Sequence, residues 1–332
     1  MNLYFPPFMY LYFLISGTLI SVSSSSLFGM WMGLEINLMS FIPMIINLEY
    51  NKKSSEAAIK YFLIQAIASS LVIFSSLMFF LYSGNLIPYS PNFIITLALC
   101  TKLGMAPFHF WFPEVLEGLN WVNSLLLLTW QKISPLVILS LFFYSKILLI
   151  IALVSAVMGA ISGLNQTSMR KILAFSSISH LGWISSLMLF NSSLWMDYFL
   201  IYSFTSFIIC FSFWLLNFNY FSQLVLSLNL SKKLVIMVNL LSLGGLPPLL
   251  GFFPKWVAIM TLSSNFPTLI ILIFSSLITL YFYTRLCFST FTLSLQNLFL
   301  LFKEDSKKNF YILSFLTLIS ILGIFPMSLL SI

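Results

Sequence analysis

Charge is what this chain lacks most. Asp, Glu, Lys and Arg make up 7% of its 332 residues while 60% are apolar, where an ordinary soluble domain carries about a quarter charged residues. A water-facing surface cannot be assembled from so few charges, and the solvent expected around the chain is lipid. Cysteine is scarce as well. Cys100, Cys210 and Cys287 stand alone in apolar runs, with no CxxC and no Cys/His cluster, which argues against disulfides, zinc and iron–sulfur ligation. No GxGxxG follows a strand and no GxxxxGK[ST] occurs, so no nucleotide site is recognisable and any redox cofactor is expected on a partner. No basic residue precedes Lys52, so the N-terminus has neither a signal-peptide n-region nor the Arg-rich face of a transit peptide, and uncleaved insertion is expected. The net charge of +7 comes as dyads in short loops without a basic face or reading aromatics, so nucleic acid is not an expected partner.

What is present in abundance is long apolar runs. A helix needs roughly 20 apolar residues to cross a bilayer core, and splitting the runs at polar or Pro/Gly punctuation gives spans near 8–26, 27–47, 57–82, 93–117, 119–143, 147–165, 172–190, 194–217, 233–263, 267–292 and 309–330. The expected fold is all-α and polytopic, with eleven transmembrane helices in a single membrane domain over 1–332.

The loop charges test that count, because one face of the membrane should collect most of the Lys and Arg. Eleven spans put Lys52, Lys53, Arg170, Lys171, Lys232, Lys233, Lys303, Lys307 and Lys308 on the side of the N-terminus and Lys146 alone on the other. The N-terminus is therefore expected to face the negative compartment and the C-terminus the positive one.

Two spans carry helix breakers. Gly104, Pro107 and Pro113 interrupt 93–117, and Gly244, Gly245, Pro247, Pro248, Gly251 and Pro254 interrupt 233–263. Proline removes a backbone donor, and the freed carbonyls persist in a membrane only where protein or water satisfies them. Both breaks should therefore face a protein interior. They are the fourth and ninth spans, and an odd offset reverses direction through the membrane. The pattern predicts two inverted five-helix repeats, about 8–143 and 147–292, with 309–330 outside them, the arrangement of many transporters whose sites lie at broken helices.

Against this background a few charges stand out. Lys102, Lys132 and Lys255 lie well inside their spans, where an unpaired charge costs about 3 kcal/mol on the lenient insertion scale. Glu35 is the one acid at comparable depth, in Gly29-Met-Trp-Met-Gly33-Leu-Glu35-Ile-Asn37, and Gly29 and Gly33, one turn apart, permit close helix contact. A buried amine is pushed towards its neutral form and a nearby carboxylate restores the charge, so such a lysine can load and unload a proton. At about 6 Å and an effective dielectric near 20 the Glu–Lys interaction is about 3 kcal/mol, roughly two pKa units. The alternative is a structural ion pair that only holds helices together.

Other charges are placed second. Lys60 follows Glu56 by four residues, the spacing of a helix ion pair, and serves either as a structural pair or on an ion path. His109, in Pro-Phe-His-Phe-Trp, and His180, in Ser-Ser-Ile-Ser-His, are proton relays or packed, hydrogen-bonded histidines. Arg285 lies near a span end, where snorkelling explains it. Glu114, Glu117 and Asp197 lie near loops, as solvated charges.

Several stretches carry a family resemblance: Gly33-Leu-Glu35-Ile-Asn37-Leu, Ser55-Glu-Ala-Ala-Ile-Lys60-Tyr-Phe-Leu, Lys102-Leu-Gly-Met-Ala-Pro-Phe-His109-Phe-Trp-Phe-Pro-Glu114, Thr129-Trp-Gln-Lys132-Ile, Gly163-Leu-Asn-Gln-Thr, Ser176-Ser-Ile-Ser-His180-Leu-Gly-Trp, Leu243-Gly-Gly-Leu-Pro-Pro and Gly251-Phe-Phe-Pro-Lys255-Trp. In this order, over nearly the whole chain, they resemble the antiporter-like membrane subunits of mitochondrial NADH:ubiquinone oxidoreductase, respiratory complex I, in a shortened animal form. The resemblance implies a kinship with cation/proton antiporters and the loss of three N-terminal helices from a fourteen-helix bacterial type. It implies that Glu35, Lys102, Lys132 and Lys255 form the proton path, with Lys102 accepting a proton near Glu35, Lys132 connecting half-channels and Lys255 on the exit side. NADH oxidation, FMN, iron–sulfur clusters and ubiquinone would then belong to partner subunits. The location implied is the mitochondrial inner membrane, with the N-terminus in the matrix and the C-terminus in the intermembrane space, and neighbouring membrane-arm subunits covering the bare flank. Beside this proton-translocating reading stand a stand-alone sodium/proton antiporter, which needs the same lysines and no partner, and an inert membrane scaffold.

Overall fold

The computed structural model describes residues 7–46, 52–83, 91–190, 193–226 and 230–296, together with 314, 315, 317, 318, 320 and 321. Among them the only β feature is an isolated bridge between Ser168 and Tyr220; the rest of the regular structure is helical. Among the described residues seven helices are long and apolar enough to cross a membrane, and further apolar helices are shorter. Six residues of the expected last span are helical; the remainder of 309–330, with Lys303, Lys307 and Lys308, lies outside the described residues. The chain forms two compact units that divide after Ala152.

In the first unit, α1 (Pro7–Ser23) and α2 (Leu27–Ile46) form a hairpin. Its close contact is made by Gly33, where an added Cβ would lie 2.5 Å from the Ser21 nitrogen and 2.7 Å from the Gly17 carbonyl oxygen. Gly29 does not share this role. It faces Ser24 and Ser26 at the connecting turn, because the chain reverses there before the helices have packed.

α3 (Lys52–Ser83) leads to the first broken span, α4 (Asn92–Leu103) and α5 (Trp111–Gly118). Return through the unit is by α6 (Trp121–Leu128) and α7 (Trp130–Phe142). Gly118 packs on the backbone of Lys53 and Asn123 donates to the Met44 carbonyl at 2.8 Å, so the starts of α3 and α6 and the ends of α2 and α5 share one end of the unit. The opposite end gathers the Phe79–Phe142 and Phe93–Tyr144 ring pairs.

α8 (Ser145–Gly163) carries the division. In the second unit α9 (Met169–Phe190) is the central helix, with every residue from Ile172 to Met188 buried. Its buried serines are satisfied within the helix, returning their hydroxyls to carbonyls of the preceding turn, as Ser176 and Ser177 do to Leu173 and Ala174. α10 (Leu194–Leu216), α13 (Phe252–Leu262) and α14 (Phe266–Gln296) pack against α9, while the short α11 (Phe221–Leu226) lies on α14 and α12 (Leu230–Gly244), the first half of the second broken span, on α10, α13 and α14.

Arg170, Lys233 and Arg285 of this unit gather at one end. Arg170 donates to Asn219 at 2.8 Å, Arg285 to the Leu164 carbonyl at 3.1 Å and Lys233 to the Val225 carbonyl at 2.8 Å. Lys233 is thus neither a loop residue nor solvated: it lies in α12, buried, and its ammonium satisfies a carbonyl near the end of α11. Lys146 sits at the other end of α8 from Leu164.

Candidate functional site

Both expected breaks exist, and each is closed by the same chemistry. α4 ends at Leu103, with Gly104 left-handed at φ 70°; the Gly104 and Met105 amides return to Thr101 and Cys100, the pattern that terminates a helix at glycine. The last carbonyls are then taken by side chains, Thr101 by Trp111 Nε1 and Lys102 by Gln65 Nε2, both at 3.2 Å. α12 ends in the same way, with Gly245 at φ 82° and the Gly245 and Leu246 amides returning to Leu241. Here the partner of the last carbonyl, Gly244, is the ammonium of Lys255 at 2.8 Å. The backbone stays paired inside an apolar structure, as a membrane environment demands.

Lys102, at the end of α4, and Lys132, on the first turn of α7, face one cavity of about 20 Å³ whose polar wall includes Asn37, Tyr61, Gln65 and Gln131. A buried water needs about 10–15 Å³ of such space, so the cavity has room for one or two. The two lysines are 7% and 2% exposed, and the Lys132 ammonium lies 5.1 Å from the centroid of the Phe112 ring, a cation–π contact. Glu35 on α2 is only partly buried. Its carboxylate acts electrostatically on Lys102 and on Tyr61 without forming a direct ion pair with the lysine, so the expected Glu–Lys interaction is one through space.

Lys132 also sits beside an interruption, one the sequence does not announce. α6 stops at Leu128 and α7 begins at Trp130. Thr129 turns its hydroxyl back to the Leu125 carbonyl at 2.8 Å and its own carbonyl takes the Lys132 amide at 3.2 Å. Pro135 follows within α7 and has no N–H for the Gln131 carbonyl four residues earlier.

Lys255, 6% exposed, lies folded over Gly245, where an added Cβ would meet its Cδ at 3.0 Å and its Nζ at 3.2 Å. The missing side chain is what lets the amine reach the Gly244 carbonyl.

The secondary candidates separate. Lys60 does not take Glu56 as its partner: it bonds Glu114 of α5 at 2.6 Å, with both side chains about half exposed, because α3 and α5 lie side by side and bring the distant acid closer. Glu114, expected to be a solvated charge, is thereby paired. His109 lies in the first break, 3% exposed, its ring tilted against Phe110 with centroids 4.4 Å apart, and it does not line the cavity. His180 on α9 bonds the Tyr198 hydroxyl through Nδ1 at 2.9 Å and lies 5.1 Å from the Tyr202 ring.

Sequence reasoning missed the polar groups around these charges. Tyr61, Gln65 and Gln131 sit within one or two turns of candidates already singled out, and their only sequence signal is polarity at membrane depth. Tyr198 and Tyr202 recur four residues apart inside an apolar run, which reads as ordinary core.

Residues 24–280 match the family described as NADH:quinone oxidoreductase/Mrp antiporter, TM. NADH-ubiquinone oxidoreductase chain 2 of Anopheles gambiae is 50% identical over 295 residues, covering 87% of this chain and 86% of that protein. Its Aedes aegypti counterpart is 44% identical over 329 residues, 95% of each. Among solved structures, a chain of respiratory complex I from Thermus thermophilus superposes with a TM-score of 0.82 at 22% identity, covering 96% of this chain and 78% of that one. A chain of the Mrp complex from Dietzia sp. gives a TM-score of 0.73 at 14% identity, with 83% of this chain and 59% of that one covered. At these identities the structural likeness speaks to the fold.

Proposed function

The chain belongs to the NADH:quinone oxidoreductase/Mrp antiporter membrane family, and on that premise we propose that it is a core membrane-arm subunit of respiratory complex I in the mitochondrial inner membrane, translocating protons while partner subunits oxidise NADH and reduce ubiquinone. Its relatives carry the name NADH-ubiquinone oxidoreductase chain 2 over nearly their full length, which supports the assignment to that assembly. The proposed topology is eleven spans in two inverted repeats and one further helix, with the N-terminus in the matrix and the C-terminus in the intermembrane space. The gathering of Arg170, Lys233 and Arg285 at one end of the second unit supports that orientation, since basic residues stay on the negative side.

Proton handling follows from the chemistry of each position. A lysine that exchanges a proton needs surroundings in which its charged and neutral forms are close in free energy: burial disfavours the ammonium, and a carboxylate favours it. Lys102 has both, being buried and within the field of Glu35. A change in charge at Glu35 therefore changes how firmly Lys102 holds its proton. The shared cavity offers the short path on to Lys132, whose ammonium the Phe112 ring stabilises when it arrives. Lys255, held on the Gly244 carbonyl, is the exit-side member of the set. Lys60, His109 and His180 take supporting places.

The observation that carries this reading is a small cavity lined by two buried lysines, Lys102 and Lys132, the first of them within the field of Glu35. A stand-alone antiporter would use the same lysines without partners. Native gel electrophoresis of mildly solubilised membranes separates the two: migration with a large assembly that oxidises NADH is expected, and migration alone or as a small homo-oligomer overturns the assignment.

A further inference from the structure

Two polar residues on the wall of the Lys102–Lys132 cavity have no part in the path so far. Tyr61 of α3 is 3% exposed, its ring 5.3 Å from Phe41 and 6.0 Å from Trp111 between centroids. Those contacts fix the ring, and its hydroxyl reaches Gln131 Oε1 at 3.4 Å. Gln131 immediately precedes Lys132, and both line the cavity. With Oε1 engaged by Tyr61, the other end of the amide, Nε2, is buried and has no hydrogen-bond partner among the described residues.

A buried N–H donor left without an acceptor is costly. An ammonium group offers three donors and no acceptor, whereas a neutral amine offers a lone pair, as does a water oxygen. The acceptors that can come and go in this cavity are therefore a lysine that has given up its proton and any water beside it.

We propose that Tyr61 is a positioning residue for the proton step between Lys102 and Lys132, holding the Gln131 amide so that its N–H donors meet the cavity lysine in its neutral state. The proposal rests on the reading of those lysines as proton carriers. One proton passes from the ammonium of Lys102 to the neutral amine of Lys132, directly or through water. Gln131 and Tyr61 each keep their own protons throughout; they set orientation only. Because the field of Glu35 reaches Tyr61 as well as Lys102, the same charge acts on the hydroxyl and on the first lysine.

The test is proton pumping against electron transfer in the assembled complex, for Tyr61→Phe, Gln131→Leu and the double variant, with Lys132→Met in parallel. Phe keeps the ring packing and removes only the hydroxyl. Each single change is expected to slow pumping about fivefold relative to electron transfer, the weight of one hydrogen bond. The double variant is expected to be no slower than either single, since both act through one amide. Full pumping by Tyr61→Phe, or multiplying losses in the double variant, overturns the proposal. If Lys132→Met loses pumping while Tyr61→Phe keeps it, the role of Tyr61 alone falls; if Lys132→Met also pumps fully, the proton-path reading beneath it falls. Should Tyr61→Phe not assemble, Gln131→His against Gln131→Leu decides: the ring donor is expected to restore pumping, and equal loss in both overturns the role.

Discussion

The ammonium of Lys255 donates a 2.8 Å hydrogen bond to the carbonyl of Gly244, the last residue of α12. The break and the charge are therefore one device. Ending the helix at Gly244 frees a carbonyl at its negative end, where a cation is favoured, and the bare Cα of Gly245 gives the lysine room to reach it.

Gly245→Ala is expected to damage both features. The methyl would lie 3.0 Å from Lys255 Cδ, and a side chain at φ 82° costs about 1–2 kcal/mol. Gly245→Asn recovers part of the backbone cost, because Asn tolerates the left-handed region, but leaves the collision in place. Thermal unfolding should rank glycine above Asn above Ala, while pumping is impaired in both variants. Normal pumping by Gly245→Asn would show that the lysine does not need this seat.

Gly33 sets the position of Glu35 two residues later. A Cβ there meets backbone atoms of α1, the Ser21 nitrogen at 2.5 Å and the Gly17 oxygen at 2.7 Å, and backbone cannot yield as a side-chain tip can. Gly33→Ala is expected to cost about 1–3 kcal/mol as an overpacked contact. The midpoint of thermal unfolding in detergent checks it, and an unchanged midpoint would mean that α1 and α2 separate freely.

Lys60 and Glu114 form an ion pair across α3 and α5. Lys60→Glu sets it beside Glu56, Glu114 and Glu117, whose charges it feels, and assembly on native gels should fall. Adding Glu114→Lys should restore assembly in the charge-reversed double variant, whereas adding Glu56→Lys should restore less. Rescue by position 56 instead would return the pair to the four-residue spacing.

Much of this arrangement is legible in the sequence because lipid leaves few options. Gly104 and Gly245 mark the breaks, and Lys102, Lys132 and Lys255 announce themselves by depth alone. What cannot be read is non-local. Glu114 is distant along the chain from Lys60, and helix spacing favours the nearer Glu56 until α5 folds against α3. The interruption at Thr129 has no glycine or proline at its own position; it arises from a hydroxyl returning to Leu125 and from Pro135 a turn and a half later. Lys233 looks like half of a loop dyad until α11 presents the Val225 carbonyl to it. Tyr61 reads as an aromatic core residue because its hydroxyl partner, Gln131, lies on another helix.

The central claim is that protons cross by way of these buried charges, and protons pumped per NADH oxidised by complexes carrying Lys102→Met or Lys255→Met test it most directly. With normal assembly confirmed on native gels, the account predicts a lower ratio for each variant than for the parent complex. An assembled complex that pumps the full number without either lysine would contradict it.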